Sequence, residues 1–314
     1  MKLSTSTGDF KGYVDSISDM VRTIGTTKFR YVNLEQTTVL PQFYEDSDDG
    51  WKRLAHDWGE AAAAAGITYV QSHSPIVNAF SPDRADSYER ALRAAYRSIE
   101  ICRLLGIDRT VVHASYRPDF TPEQLQTENV RFYRDLLAMT DHSDVMILTE
   151  NVDNSCGALP VATGAELRQL AEMVDHPRFG VCWDTAHGNL HASAREIGQY
   201  DNIIALGDQL KALHISDNFG DGAHHHSWPF AGIINFDAVM QGLLDVGFDG
   251  AFNFEASYTL LNHTNMPYHR KAWQHGGETV TKLLDPPIGL KVQAVNLLYD
   301  IGKHILDTYN CFEE

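Results

Sequence analysis

Short apolar runs alternate with longer stretches of helical spacing along most of the chain. The runs fall near Lys2–Thr7, Phe29–Glu35, Ile67–His73, Thr110–His113, Val145–Glu150, Phe179–Asp184, Leu210–Ser216 and Ala251–Glu255. Between them lie the helical stretches Trp51–Ala65, Arg84–Leu105, Pro122–Asp141, Ala165–Val174 and Phe236–Val246. Several of these end in a glycine just ahead of the next run (Gly66, Gly106, Gly247), the usual way to terminate a helix. Eight strand–helix alternations in about 285 residues predict an α/β chain folded as a (β/α)8 TIM barrel. No glycine-rich phosphate fingerprint follows the first run, so a doubly wound dinucleotide-binding sheet does not fit.

After Asp285-Pro286-Pro287 the pattern changes. Val292, Val295, Leu298, Ile301 and Ile305 recur at spacings of three and four, which predicts one more amphipathic helix over Lys291–Tyr309. The expected division is therefore a barrel domain over residues 1–284 and a C-terminal helical extension over 285–314. That helix packs on the barrel or forms a subunit contact, so a homo-oligomer stays open.

Charge narrows the partners. The 314 residues carry 25 basic and 42 acidic side chains, a net −17, which disfavours general nucleic-acid binding. The four cysteines (Cys102, Cys156, Cys182, Cys311) form neither a CxxC pair nor a zinc-spaced Cys/His set, which points to a reducing compartment. The start of the chain lacks the apolar stretch of a signal peptide, and no run approaches the roughly 18 apolar residues of a membrane span. A soluble, cytoplasmic protein is expected. Histidine is the unusual entry in the composition, with 15 in the chain.

The position of those histidines carries the chemical argument. In a barrel of this kind the chemistry gathers at the carboxyl ends of the strands. The third run ends in His73, the fourth in His113, the fifth in Glu150, the sixth in Asp184 with His187 three residues on, the seventh in His214, and the eighth in Glu255. One such residue is unremarkable. Six consecutive strand ends of this kind would crowd carboxylates into one mouth, where they repel unless a cation compensates. Glu150, Asp184, His214 and Glu255 together offer three carboxylates and one imidazole. That oxygen-rich set suits one divalent ion in octahedral geometry, manganese first, with magnesium, cobalt or zinc as substitutes. A site left mildly anionic fits a neutral polyol better than a phosphate.

These residues resemble a known family. Thr149-Glu150-Asn151, Trp183-Asp184-Thr185-Ala186-His187-Gly188-Asn189, His214-Ile215-Ser216-Asp217-Asn218 and Phe254-Glu255 are similar to the motifs of the xylose isomerase-like barrels, over roughly residues 1–284. That family includes ketose 3-epimerases, inosose dehydratases, hydroxypyruvate isomerases and endonuclease IV. The resemblance implies that Glu150, Asp184, His214 and Glu255 hold a single metal. It further implies that Glu150 and Glu255 move protons on the two faces of a sugar, and that His187 holds substrate oxygens. A metal-bound carbonyl beside a hydroxyl-bearing carbon, flanked by two carboxylates, suits proton transfer through an enediolate.

The seventh loop departs from the family pattern. Relatives carry a His followed by a Pro-Gly-x-Gly turn, whereas this chain reads His226-Ser227-Trp228-Pro229-Phe230-Ala231-Gly232, with Phe230 in place of the first glycine. Trp228 and Phe230 are candidates for a flat apolar wall against a sugar or aromatic aglycone. His73, His113 and His226 are further substrate-contact candidates. Endonuclease IV-like members place a trinuclear zinc site around the equivalents of His73 and His113 and an Asp-x-His that here reads His224-x-His226. The first expectation is a metal-dependent sugar or polyol isomerase or epimerase acting on a small molecule, without nucleic-acid or membrane partners. A sugar lyase or dehydratase, an endonuclease IV-like phosphodiester hydrolase and a non-catalytic sugar-binding barrel are the alternatives. Glu35, ending the second run, faces the mouth or braces it from below, and Asp217 is expected to orient the loop or a histidine.

Overall fold

The computed structural model describes residues 1–37, 50–152, 161–262 and 272–314. Cys156 lies outside the described residues; Cys102, Cys182 and Cys311 are free thiols. Eight strands form one parallel sheet: β1 (Leu3–Ser6), β2 (Tyr31–Glu35), β3 (Thr68–His73), β4 (Arg109–Val111), β5 (Met146–Glu150), β6 (Phe179–Asp184), β7 (Leu210–His214) and β8 (Phe252–Phe254). Each pairs with its sequence neighbour, and β1 pairs with β8. The remaining seam is stitched just beyond β7: Ile215 N–H donates to the Asn253 carbonyl at 2.7 Å, and Glu255 N–H donates to the Ile215 carbonyl at 3.0 Å. Those two bonds bring β7 and β8 together and nearly close the sheet into a barrel.

The helices α1 (Ile17–Ile24), α2 (Gly50–Ala65), α3 (Ser87–Leu105), α4 (Pro122–Met139) and α5 (Gly164–Val174) alternate with the first six strands. Their boundaries follow local chemistry. Thr121 and Thr163 each open a helix with a reciprocal capping box, to Gln124 and Glu166, and Pro122 sits in the first turn of α4. Gly106 ends α3 at φ 70°, a left-handed position that glycine adopts without steric cost. Between β6 and β7 the chain uses three short helices, α6 (Thr185–Leu190), α7 (Ala192–Ile197) and α8 (Gln199–Leu206), before α9 (Phe236–Asp245) follows β7. A two-stranded hairpin, β9 (Trp273–His275) and β10 (Glu278–Val280), precedes α10 (Ile288–Thr308).

The C-terminal helix α10 lies over the seam where the barrel begins and ends. A Cβ on Gly302 would come within 2.6 Å of the Phe254 ring and 2.7 Å of Leu3, so only glycine lets the helix approach so closely. Tyr299 meets Phe29 edge to face at 5.1 Å, and Lys28 pairs with Asp300 at 2.5 Å. This is the position an eighth barrel helix occupies. Among the described residues, no helix is long and apolar enough to cross a membrane.

Candidate metal centre

Side chains alternate along a strand, so residues two apart share a face. Leu148, Cys182 and Ala212 point into the barrel, where with Val111 they form a small buried apolar cluster. Two residues further on stand Glu150, Asp184, His214 and His113, and the same step from Gln71, Asn33 and Asn253 reaches His73, Glu35 and Glu255. The site is therefore the next inward layer of the barrel. Its members come together because eight strands end at one level.

Four of them converge. Ligand atoms of Glu150, Asp184, His214 and Glu255 all lie within 4.8 Å of one another. His214 Nδ1 sits 2.8 Å from Glu150 Oε1 and 2.8 Å from Glu255 Oε2. Asp184 caps α6, its Oδ1 accepting the His187 N–H at 2.7 Å, while Asp184 Oδ2 is buried without a donor and the one Nδ1 position of His214 can serve only one of Glu150 Oε1 and Glu255 Oε2. Buried carboxylate oxygens without donors are costly unless something cationic meets them. Three carboxylates and an imidazole, with oxygens left over at the shared point, fit a divalent ion.

Electrostatics tell the same story. Burial together with the charges of Glu255 and Glu150 pushes the Asp184 carboxyl up to about 6, against the pull of His187. Burial would also raise Glu150, but His214, His113 and His73 hold it well below the usual carboxylate range. Burial alone would depress His73; Glu35 and Glu150 reverse that and push it up to about 9. His226, by contrast, is pulled down to about 4 by burial.

Two more groups abut the first. His73, His113 and Glu150 form one, with His113 Nε2 3.0 Å from Glu150 Oε2 and 3.1 Å from His73 Nε2. His187, His224 and His226 form the other, with His224 Nε2 2.8 Å from His187 Nε2 and 2.9 Å from His226 Nε2. The His187 ring is fixed from behind, Nδ1 lying 2.8 Å from the Asn151 carbonyl. Above these groups opens a cavity of about 530 Å³, whose walls include Glu35, His73, His113, Glu150, His187, His224, His226 and Glu255. Ser6, Gly8, Lys11, Thr37, Ile76, Val152 and Ser257 complete it.

Trp228 requires a correction: it is absent from the cavity wall and packs, half-buried, against the apolar core. Ala231 N–H donates to the Trp228 carbonyl at 3.2 Å, closing a turn with Pro229 and then Phe230 at φ 73°. That turn, which favours glycine at the position Phe230 holds, carries the chain out of the mouth. Phe230 is 61% exposed and meets Phe236 at 5.8 Å, so it offers no wall to the site either. Asp217 anchors this loop by accepting from Gly232 N–H at 2.9 Å and Ile234 N–H at 3.1 Å. Sequence reasoning did not find Ser6, Gly8, Lys11 and Ser257. They flank the ends of β1 and β8, and nothing in their residue types marks them.

The fold and the layer of ligand-type side chains define a TIM barrel whose mouth could hold a metal ion. The chain belongs to the xylose isomerase-like TIM barrel family, whose profile matches residues 21–278. Members of this family are mostly metal-dependent enzymes, epimerases and endonucleases among them. A relative named probable endonuclease 4, from Nitrosopumilus maritimus (strain SCM1), is 26% identical over 162 residues, or 48% of this chain and 56% of that protein. The chain spans about half the length of the first curated relatives it matches. Among solved structures, D-psicose 3-epimerase from Clostridium cellulolyticum H10, with D-tagatose, superposes with a TM-score of 0.71. It is 16% identical and covers 98% of this chain and 99% of its own. The IolI protein with a zinc atom superposes at 0.65, 18% identical, over 82% of this chain and 89% of its own. At these identities the structural matches establish the fold.

Proposed function

We propose that this protein is a divalent-metal-dependent enzyme that moves a proton at the carbon beside a carbonyl, isomerising or epimerising a neutral sugar or related polyol. The observation that carries the reading is the convergence of Glu150, Asp184, His214 and Glu255 within 4.8 Å at a cavity of about 530 Å³, into which Glu150 and Glu255 face. A divalent ion held by those four, manganese for preference, would supply Lewis acidity, polarising the substrate carbonyl and stabilising the enediolate charge.

The chain's own residues divide the remaining work. Glu255 is the more accessible glutamate, its side chain 22% exposed against 1% for Glu150, so its cavity-facing oxygen takes the carbon-bound proton. Glu150 is deeper, and His113, 3.0 Å from its Oε2, connects it to the cavity as the opposite proton donor. His187 and His226 present ring edges to substrate hydroxyls. Three carboxylates in the mouth, Glu35, Glu150 and Glu255, select against phosphates and other anions.

The test is a screen of ketoses, inososes and C-glycosides in deuterated water with Mn²⁺. Deuterium in recovered sugar is expected, and Glu255→Gln should lower exchange about a thousandfold. Exchange at wild-type rate in that variant would refute the assignment. A sugar lyase shares the abstraction step and would differ in expelling a β-substituent.

A specific observation favours a second reading. Glu150 belongs both to the four-ligand group and to the group with His73 and His113, which gives seats for more than one ion, as in multimetal hydrolysis of phosphodiesters. Several of the curated relatives carry the name probable endonuclease 4. Metal analysis separates the readings: about one ion per chain is expected, whereas three, with cleavage of an abasic-site duplex, would favour the hydrolase.

A further inference from the structure

Lys291, in the first turns of α10, is fully buried, which is rare for an ammonium and needs compensating partners. Its Nζ donates to the Thr259 carbonyl at 2.5 Å and to the Ser257 carbonyl at 3.3 Å. The nearest compensating charge is Asp9, 2% exposed and itself accepting from the Thr5 hydroxyl on β1, which acts on the ammonium through space without a direct ion pair. Both carbonyls belong to the turn that leaves Glu255. That same turn touches the histidine trio, for Tyr258 N–H donates to the His226 carbonyl at 3.1 Å and His226 Nδ1 lies 3.1 Å from the Glu255 carbonyl.

The two partners of the lysine thus stand on opposite sides of the β8–β1 seam. Asp9 lies in the short turn after β1 that also carries Gly8, part of the cavity wall, and Ser257 is part of that wall on the β8 side.

We propose that Lys291 is a positioning residue: its buried ammonium, in the field of Asp9, ties the Ser257 and Thr259 carbonyls to α10 and so fixes the turn that carries the Glu255 carboxylate against its metal and substrate. This role rests on the proposed reading of Glu255 as ligand and proton acceptor. A methionine at this place would fill the volume but leave two carbonyls and Asp9 without a cation. The turn would then relax, and Glu255 would leave the shared point while Glu150, Asp184 and His214, on other strands, stay in place.

The experiment is Mn²⁺ titration of the metal-stripped full chain, followed by deuterium exchange at saturating Mn²⁺, for the wild type and K291M, with circular dichroism as the folding control. K291M is expected to bind Mn²⁺ about tenfold more weakly and to lose about tenfold in kcat with KM little changed. Binding and kcat both within twofold of the wild type, whatever the thermal stability, would overturn the role. A wild type that binds no Mn²⁺ overturns the metal reading and this role with it, which distinguishes the two failures. If K291M does not fold, D9N decides, since it keeps the lysine and both carbonyl bonds while removing the counter-charge. A fivefold loss in Mn²⁺ affinity supports the role, and none overturns it.

Discussion

Two successive inward layers of the barrel, two residues apart on the same strands, have opposite characters. The lower one is apolar on β4 to β7, where Val111, Leu148, Cys182 and Ala212 pack together fully buried. The upper one is made of carboxylates and imidazoles, several with atoms that no donor or acceptor satisfies. The lower layer stabilises the chain by excluding water and filling space. The upper layer works against itself at Asp184, which burial and the charges of Glu255 and Glu150 raise to about 6, even though its histidines hold Glu150 low. Stability and function are separated by about one turn of the strand pleat, roughly 7 Å.

The sharpest way to break this comparison is to damage the lower layer alone. Leu148→Ala leaves a cavity in a tightly packed interior and should cost about 3 kcal/mol in urea unfolding, while Mn²⁺ affinity stays within threefold. A cost below about 1 kcal/mol would mean that this layer is not the packed floor described above.

The next effect comes from above. Mn²⁺ at a hundred times its Kd should stabilise the wild type by about 2.7 kcal/mol, or roughly 5 °C in Tm. Asp184→Asn should abolish that rise, because one ligand is gone. The same variant, stripped of metal, should melt above the stripped wild type: one of the repelling carboxylates is removed, and the amide oxygen can still accept the His187 N–H that caps α6. A stripped variant melting below the wild type would show that the upper layer carries no strain.

Most of this contrast was legible in the sequence, and the exceptions are instructive. The eight runs and their terminal His, Asp and Glu residues were visible because strand period and strand ends are local properties. The segment from Thr185 to Leu206 concealed three helices, since two of them are six residues long and too short to show a helical period. The β9–β10 hairpin had a signal that went unread: Gly276-Gly277, both at positive φ, is a two-residue turn of the kind glycine pairs favour. Trp228 was misplaced because its direction depends on the turn at Pro229 and Phe230 and on the anchoring of that loop by Asp217, a contact between residues distant along the chain. Lys291 gave no sign at all. On a helical wheel it is one polar residue among several, and only the packing of α10 on the seam buries it.

The smallest expected effect tests whether the lower layer needs to be polar anywhere. On β8, β1, β2 and β3 the apolar floor gives way to Asn253, Ser4, Asn33 and Gln71, all buried. Ser4 donates to Asn253 Oδ1 at 2.7 Å and Gln71 reaches the Leu213 carbonyl at 3.3 Å, but both side-chain atoms of Asn33 lack a protein partner. An unpaired buried amide costs about 1–3 kcal/mol, and leucine has the same branching, so Asn33→Leu should stabilise by about 1 kcal/mol in urea unfolding. If the variant is instead less stable than the wild type, Asn33 is hydrogen-bonded by internal water. The floor beneath Glu35 and Glu255 would then be a hydrated polar network, and the division between a dry layer and a charged one would hold only for β4 to β7.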